Sequence, residues 1–419
     1  MTYDESQEYI HTTCTAGSVY DLECIKTLLK ILDNPEKHLK IIHISGTNGK
    51  GSVSRMIMHI LKEAGYSVGI FNSPFLQKRN EYLCINGRDA SDSEYALIAG
   101  IVKNAVEKNL TSVHNKGQEE CILKRRPTEF EFSFAMAMEY FCRSKCDIAI
   151  VECGLGGTND ATNIFTKKEL SIITNIGLDH VRLLGTTLKD IAGQKSGIII
   201  NNDTVIAYPS DKEAIKVISS SCKKKSAKLI IPEDIPLNIS EIALDGEFQK
   251  KNAMVALSAI EVLKTKGYHI SRNDISKGLI NVKWPGRFET LSKNPIVIAD
   301  GGHNLQCIKA LCESLDVKGI KKAIFVIGIM ADKDYTAVFN ILKEYAVYVI
   351  ATEPENPRSL DCTEIVKIFN NYGIPGKSVK QPAEAVYSAL DLIRTKEYDL
   401  PIVITGSLYM MNEIRKPFI

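Results

Sequence analysis

The chain lacks the features that would place it in a membrane, on nucleic acid or around a structural zinc ion. It contains no run of about 18 apolar residues, which a membrane-spanning helix requires. Its formal net charge of +2 gives no basis for binding to nucleic acid or to a membrane surface. No two cysteines form a Cys-x-x-Cys pair, so a zinc site is not expected.

The cysteines and the N-terminus indicate the compartment. The 11 cysteines are an odd number scattered through apolar stretches, which is typical of reduced thiols in a cytoplasmic protein. The first residues, MTYDESQEYIHTTC, are acidic and polar, so no secretory signal is expected. We therefore predict a cytoplasmic protein without a membrane segment.

The length of 419 residues predicts two domains. The best candidate boundary is the stretch Trp284-Pro285-Gly286-Arg287, because apolar strands and helical stretches alternate afresh after it. Alternation of this kind predicts an α/β architecture. We expect one domain over residues 1–284 and a second, smaller α/β domain over residues 285–419.

The stretch LKIIHISGTNGKGS, residues 39–52, predicts a site for phosphate. Its first half is short and apolar, as in a buried strand, and a glycine turn follows. After Lys50 the apolar residues recur at helical spacing until Gly65. In such a strand–loop–helix unit the loop amides and the helix dipole face an anion, and the lysine adds a positive charge. We call residues 46–52 the phosphate loop.

The phosphate loop departs from the general P-loop pattern at two positions. Ile44 stands where the first glycine is expected, and Gly51 stands where serine or threonine follows the lysine. Ser52, one place later, must then supply the hydroxyl group for Mg²⁺. Many glycine turns join a strand to a helix and bind nothing, so the loop alone leaves that alternative open.

Polar residues also end other predicted strands. Ser73 follows one strand, Glu152 ends another, and Asp179-His180 follow a strand predicted over residues 170–176. Taken singly, such residues are more often surface or loop residues than ligands. Ligands of open parallel sheets bind at the carboxyl ends of the strands, so these side chains are expected to meet beside the phosphate loop. Hard oxygen donors next to a triphosphate are what Mg²⁺ requires.

Six motifs follow one another along the chain: HISGTNGKGS, NSPFL, VECGLGG-x-x-DATN, TNIGLDH, DGGHN and TGSLYMMNEIR. Together they resemble the signature series of the folylpolyglutamate synthase and dihydrofolate synthase family, within the Mur ligase superfamily. The resemblance runs nearly end to end. It implies an α/β fold with a parallel-sheet P-loop ATPase domain over residues 1–284. A smaller Rossmann-like glutamate-ligase domain over residues 285–419 would follow, with the active site in the cleft between the two.

The resemblance also implies roles for single residues. The implied catalytic residues are Lys50, His180 and Lys195. On sequence alone Lys195 is an ordinary helix lysine, but it matches a lysine that the family carries as a carbamate, which requires a neutral amine and hence a lowered pKa. The implied ligands of two Mg²⁺ ions are Ser52, Ser73, Glu152 and His180. The implied ATP contacts are Gly46, Thr47, Asn48, Gly49, Lys50, Gly51, Ser52, Asn252, Arg287, Asp300 and His303.

Five positions depart from the family pattern: Phe75, Phe248, Tyr82, Thr158 and Gln194. The first two replace histidine, the next two replace arginine, and Gln194 replaces the glutamate before the carbamylated lysine. None of them is an implied ATP or Mg²⁺ ligand. The departures therefore concern the folate side of the site and the range of substrates.

The implied reaction is the ATP-dependent ligation of L-glutamate to a folate or to dihydropteroate through an acyl phosphate. One alternative is a Mur-type ligase for a cell-wall precursor, which typically carries a separate N-terminal nucleotide domain; here 38 residues precede the first strand. A second alternative, a nucleotide-dependent switch, would not need Lys195, His180 and the DGGHN stretch together. We expect a monomer whose partners are small substrates.

Overall fold

The computed structural model describes residues 1–14, 21–110, 123–208, 211–232, 242–396 and 399–418. The chain divides into two compact units. The first unit is Met1–Pro236 with Asn252–Val282, and the second is Leu237–Lys251 with Lys283–Ile419. A short segment ahead of residue 284 thus groups with the second unit.

The first unit contains an eight-stranded sheet, counted over its described residues, in the order β4-β3-β2-β5-β1-β6-β7-β8. The strands from β2 to β8 in this order run parallel, whereas β3 and β4 add an antiparallel edge. The strands are Ile41–Ser45 (β1), Val68–Phe71 (β2), Cys84–Ile85 (β3), Arg88–Asp89 (β4), Ile148–Glu152 (β5), Leu170–Ile173 (β6), Thr204–Ala207 (β7) and Lys228–Ile230 (β8).

Helices surround this sheet, and serine or threonine caps begin several of them. They are Tyr3–Thr13 (α1), Glu23–Ile31 (α2), Lys50–Glu63 (α3), Asp92–Asn109 (α4), Glu129–Arg143 (α5), Val181–Leu184 (α6), Leu188–Lys195 (α7), Lys212–Lys224 (α8), Phe248–Thr265 (α9) and Arg272–Asn281 (α10). The first four residues of α9 belong to the second unit. The central strands β1, β5 and β6 are buried along their whole length, which explains why they are continuous apolar runs rather than alternating ones.

The second unit contains a six-stranded sheet, again counted over described residues, in the order β13-β12-β11-β14-β10-β9. Only β9 among these strands runs antiparallel to its neighbour. The strands are Glu289–Lys293 (β9), Ile296–Asp300 (β10), Ala323–Ile327 (β11), Ala346–Ala351 (β12), Gly376–Ser378 (β13) and Ile402–Thr405 (β14). The helices are Leu305–Val317 (α11), Tyr335–Leu342 (α12), Cys362–Asn371 (α13), Pro382–Lys396 (α14) and Met411–Arg415 (α15).

Two mostly parallel sheets with helices confirm the predicted α/β class, in which a larger parallel-sheet unit is joined to a smaller Rossmann-like one. Each unit has its own apolar core, because the helices of each unit pack against the sheet of that unit. Across the described ranges, no helix has both the length and the apolar character needed to cross a membrane.

Candidate functional site at the carboxyl edge of the first sheet

The candidate site lies where four neighbouring parallel strands end. Strands β2, β5, β1 and β6 are adjacent and point the same way, so the residues that follow them share one edge of the sheet. Ser73 follows β2, Glu152 ends β5, the phosphate loop follows β1, and Asp179-His180 lie beyond β6. The strand order therefore brings the predicted ligands to the same edge.

The phosphate loop is held by the segment that continues from β6. The backbone N–H of Thr47 donates to the carbonyl of Asn175 at 2.8 Å, and the N–H of Asn48 donates to the Asn175 side-chain oxygen, also at 2.8 Å. The hydroxyl of Thr47 accepts the N–H of Gly177 at 3.0 Å. This explains why the strand predicted over residues 170–176 is too long: β6 ends at Ile173, and the polar groups beyond it bond to the loop.

Two glycines of the phosphate loop lie so close to other side chains that no larger residue fits in their place. Gly46 has φ +151°, and a Cβ atom there would lie 1.7 Å from the hydroxyl oxygen of Thr174. Gly49 has φ +87°, and a Cβ atom there would lie 2.4 Å from the side-chain oxygen of Asn252. Both positions thus require glycine. Asn252 thus lies directly against the phosphate loop, and its contact with ATP stays a prediction.

Helix α3 begins at the phosphate loop without a side-chain cap. Its N-cap is Gly49, which makes no side-chain cap hydrogen bond. The next two helices along the chain, α4 and α5, are capped by Ser91 and Thr128. Since the first amides of a helix have no intrahelical acceptor, the start of α3 can donate hydrogen bonds to an anion.

Lys50 and Glu152 form an ion pair at this edge. The Lys50 ammonium lies 3.5 Å from one carboxylate oxygen of Glu152 and 3.3 Å from the carbonyl of Thr47. The other Glu152 oxygen accepts the side-chain N–H of Asn72 at 2.8 Å. Glu152 and Asn72 are both buried. The carboxylate is thus held between a cation and an amide.

Lys195 lies at the end of α7 and is only 4% exposed. Its ammonium donates to the carbonyl of Gly46 at 2.7 Å, so it contacts the base of the phosphate loop. Burial, together with a smaller effect of the Lys50 charge, lowers the pKa of the Lys195 amine from 10.5 to about 7. A substantial fraction of this amine is therefore neutral near neutral pH.

The remaining predicted ligands differ in exposure. Ser52 is buried in the first turn of α3, and Ser73 is half-buried after β2. His180 has a side chain that is 43% exposed and a left-handed backbone with φ +49°. Its backbone N–H donates to the Asp179 carboxylate at 2.8 Å.

The donor chemistry at this edge fits a hard divalent cation. Glu152 offers a buried carboxylate that already faces a positive charge. Hydroxyl oxygens come from Ser73, just after β2, and from Ser52 in the first turn of α3, and both β2 and β1 lie next to β5. Asn72 adds a buried side-chain oxygen with no hydrogen-bond partner in the described part of the chain. Carboxylate and hydroxyl oxygens are the type of ligand that Mg²⁺ prefers, so the residues present fit the ion.

Three predicted ATP contacts lie together in the second unit. Asp300 ends β10 and is buried, and its two oxygens accept the N–H groups of Phe288 at 2.9 Å and Gly302 at 2.8 Å. Burial raises the pKa of Asp300, and the charge of Arg287 opposes that rise. The His303 ring lies 3.1 Å from the carbonyl of Gly301. The nucleotide role of Arg287, Asp300 and His303 stays a prediction.

Sequence reasoning missed two asparagines at the first sheet's edge. Asn175 supports the phosphate loop, and Asn72 bonds to Glu152. Both stand just after a strand inside a motif quoted above, TNIGLDH for one and NSPFL for the other. An asparagine directly after a strand is a signal for side-chain bonding to a loop, and it could have singled them out.

The chain is 30% identical over 440 residues to the folylpolyglutamate synthase of Lacticaseibacillus casei, covering 99% of this chain and 98% of the relative. It is 31% identical over 440 residues to the dihydrofolate synthase/folylpolyglutamate synthase of Bacillus subtilis (strain 168), with the same coverage. This chain belongs to the folylpolyglutamate synthase and dihydrofolate synthase family.

Other comparisons agree with this family membership. The Mur ligase, glutamate ligase domain matches residues 286–408, within the second unit. A solved complex of FPGS with AMPPCP and folate resembles the chain with a TM-score of 0.83 and 28% identity, covering 100% of this chain and 99% of that one. The similarity thus extends over both units.

Four of the departures from the family pattern form two contacts. The rings of Phe75 and Tyr82 meet edge to face, with centroids 5.5 Å apart. Thr158 donates its N–H at 2.9 Å and its hydroxyl at 3.1 Å to the carbonyl of Gln194, the residue before Lys195. Four of the five residues that differ from the family pattern are therefore in contact with another of the five.

Lys195 should make the stability of the protein depend on pH. Between pH 7 and 10.5 the unfolded chain keeps a proton on this lysine that the folded chain has released, so the contribution of Lys195 to stability rises with pH in that window. The free energy of unfolding of the wild type, minus that of Lys195→Met, should rise by up to about 1.4 kcal/mol per pH unit. Urea unfolding in CO₂-free buffer at several pH values measures this difference.

Lys189→Met is the matched control, because it removes an exposed lysine from the same helix. A Lys195→Met difference that stays constant with pH would show that the folded protein keeps Lys195 protonated.

Proposed function

We propose that the chain is an ATP-dependent, ADP-forming ligase that adds L-glutamate to a folate. The observation that carries the nucleotide part is the phosphate loop itself, where the uncapped start of α3 and Lys50 lie beside the carboxylate of Glu152. The names of the family relatives supply the folate and the glutamate. They favour this substrate over a cell-wall precursor, and family membership speaks against a non-ligating switch.

The residues at the sheet edge suit transfer of a phosphoryl group to a carboxylate. The first amides of α3 donate to the nucleotide phosphates, and Lys50 neutralises charge that develops on the transferred group. Mg²⁺, held by Ser52, Ser73 and Glu152 with His180 as ligand of a second ion, supplies further charge neutralisation when bound. The folate carboxylate accepts the phosphoryl group, and the glutamate amine then displaces phosphate from the acyl phosphate to form the amide.

A second activity of the same site is dihydrofolate synthesis, in which dihydropteroate receives the first glutamate. The Bacillus subtilis relative is named for both activities, and the similarity to it covers 99% of this chain. Both reactions join a pterin-bearing carboxylate to glutamate, so one set of phosphate-binding residues serves either.

We further propose a cytoplasmic monomer, in line with the ten described cysteines, all of which are free thiols. Light scattering of the purified protein tests the monomer.

The ligase should form ADP only when a folate and glutamate are both present. Tetrahydrofolate and dihydropteroate, assayed side by side with labelled glutamate, show which activities the chain has. Lys50→Ala should lower ADP formation by several orders of magnitude, because the phosphate loop loses a lysine cation that is largely shielded from solvent. Lys62→Ala is the matched control, since it removes an exposed lysine from the same helix.

ADP formation with neither substrate present would contradict ligation and favour the switch. Near-normal turnover by Lys50→Ala would mean that the loop is only a turn between β1 and α3.

We also propose that Lys195 acts as a carbamate. Its buried position and lowered pKa give the neutral amine that this modification requires. A carbamate replaces a cation with an anion, which suits a residue near bound Mg²⁺.

Lys195→Ala should therefore abolish ligation, and short carboxylic acids should restore part of the rate by supplying the missing anion. The measurement is ADP formation with and without added acetate or formate. An unmodified lysine by mass spectrometry in active enzyme, together with an active Lys195→Ala variant, would contradict the carbamate.

A further inference from the structure

Asn72 is a buried amide placed between two of the proposed Mg²⁺ ligands. It follows β2 directly, it precedes Ser73 in the chain, and it is 4% exposed. Its side-chain nitrogen lies 2.8 Å from one oxygen of Glu152, across from the end of β5. A carboxylate only accepts hydrogen bonds, so the nitrogen of Asn72 and not its oxygen must face Glu152.

The two oxygens of Glu152 have different partners. One oxygen accepts a hydrogen bond from the side chain of Asn72, which directly follows the buried strand β2. The other faces the ammonium of Lys50 at 3.5 Å, a longer contact with a flexible side chain. Asn72 thus occupies one oxygen and sets the direction of the carboxylate, while the other oxygen keeps a partner that can exchange.

The side-chain oxygen of Asn72 also points to a role at the metal site. It is buried and makes no hydrogen bond to any described residue. Leaving a buried carbonyl oxygen without a hydrogen bond is unfavourable, which favours a partner that the protein alone does not supply. A water molecule at the metal site would satisfy it.

We propose that Asn72 is a positioning residue for Mg²⁺ binding, acting through Glu152. Its N–H holds the carboxylate so that the oxygen now facing Lys50 is presented to the ion, and its carbonyl oxygen accepts a hydrogen bond from water at the same site. The inference rests on the proposed function, because it takes Glu152 as a Mg²⁺ ligand. Groups that orient a ligating carboxylate typically change metal affinity by about 10- to 100-fold when they are removed.

The test measures how strongly Mg²⁺ tightens nucleotide binding. The affinity for AMPPCP is determined by calorimetric titration once with Mg²⁺ and once with EDTA, and the ratio of the two dissociation constants gives the coupling. Asn72→Ala should lower this ratio by about tenfold or more. The dissociation constant in EDTA should stay unchanged, since Asn72 acts on the metal and not on the phosphate loop. A purely structural role would weaken binding in both conditions.

Two controls separate the metal effect from damage to the fold. Asn72→Leu keeps the branched four-atom shape of the side chain and removes its polar groups, so an effect shared with Asn72→Ala does not come from a cavity. Asn80→Ala removes another buried asparagine, eight positions further on, which bonds to Ala90 and Asp92 instead of Glu152. It should leave the Mg²⁺ coupling as in the wild type. Thermal unfolding by circular dichroism is recorded for every variant.

A double-mutant cycle tests whether Asn72 acts through Glu152. Glu152→Gln should lower the coupling, and adding Asn72→Ala to it should cause no further loss. Unchanged coupling in both Asn72 variants, or losses that simply add, would overturn the inference. If the wild type itself shows no Mg²⁺-dependent binding of AMPPCP, the proposed function fails first, and the two failures are thereby distinguished.

Discussion

The phosphate loop depends on the hydrogen bonds that Asn175 makes to two successive loop amides. They fix Thr47 and Asn48 against the end of β6, and they require that β6 stop at Ile173 instead of continuing along the sheet. Because these amides already have partners, the donors open to an anion are the first amides of α3, whose N-cap Gly49 has no side chain to compete for them. The contact thus shapes the loop and also decides which of its groups face a ligand.

Burial gives the charges around this loop their chemical character. Glu152 has Lys50 as its counter-ion, whereas Lys195 bonds to a neutral carbonyl and loses much of its affinity for a proton. The same low exposure that lowers the pKa of Lys195 strengthens the attraction between Lys50 and a phosphate. The unfavourable free energy of burying these groups is partly offset, because each has a hydrogen-bond or ionic partner.

The sequence predicts the fold class and the meeting of the strand ends, because buried parallel strands are continuous apolar runs and their polar ends are easily seen. It does not predict where β6 ends. Ile176 is buried although it lies outside the strand, so apolar character continues past the last ladder residue. Nor does it predict the Asn72–Glu152 contact, which joins residues 80 positions apart at the ends of different strands. Periodicity reports which face of an element is buried, not which side chains from distant elements bond.

Amide hydrogen exchange with and without AMPPCP and Mg²⁺ shows whether the start of α3 and the rest of the phosphate loop hold the nucleotide phosphates. Phosphate oxygens that accept hydrogen bonds from these amides should slow exchange in residues 46–52, most of all at the first amides of α3. The already buried strand β1 should exchange slowly in both states. If saturating AMPPCP left exchange in residues 46–52 unchanged and slowed it elsewhere, the nucleotide phosphates would bind at another site.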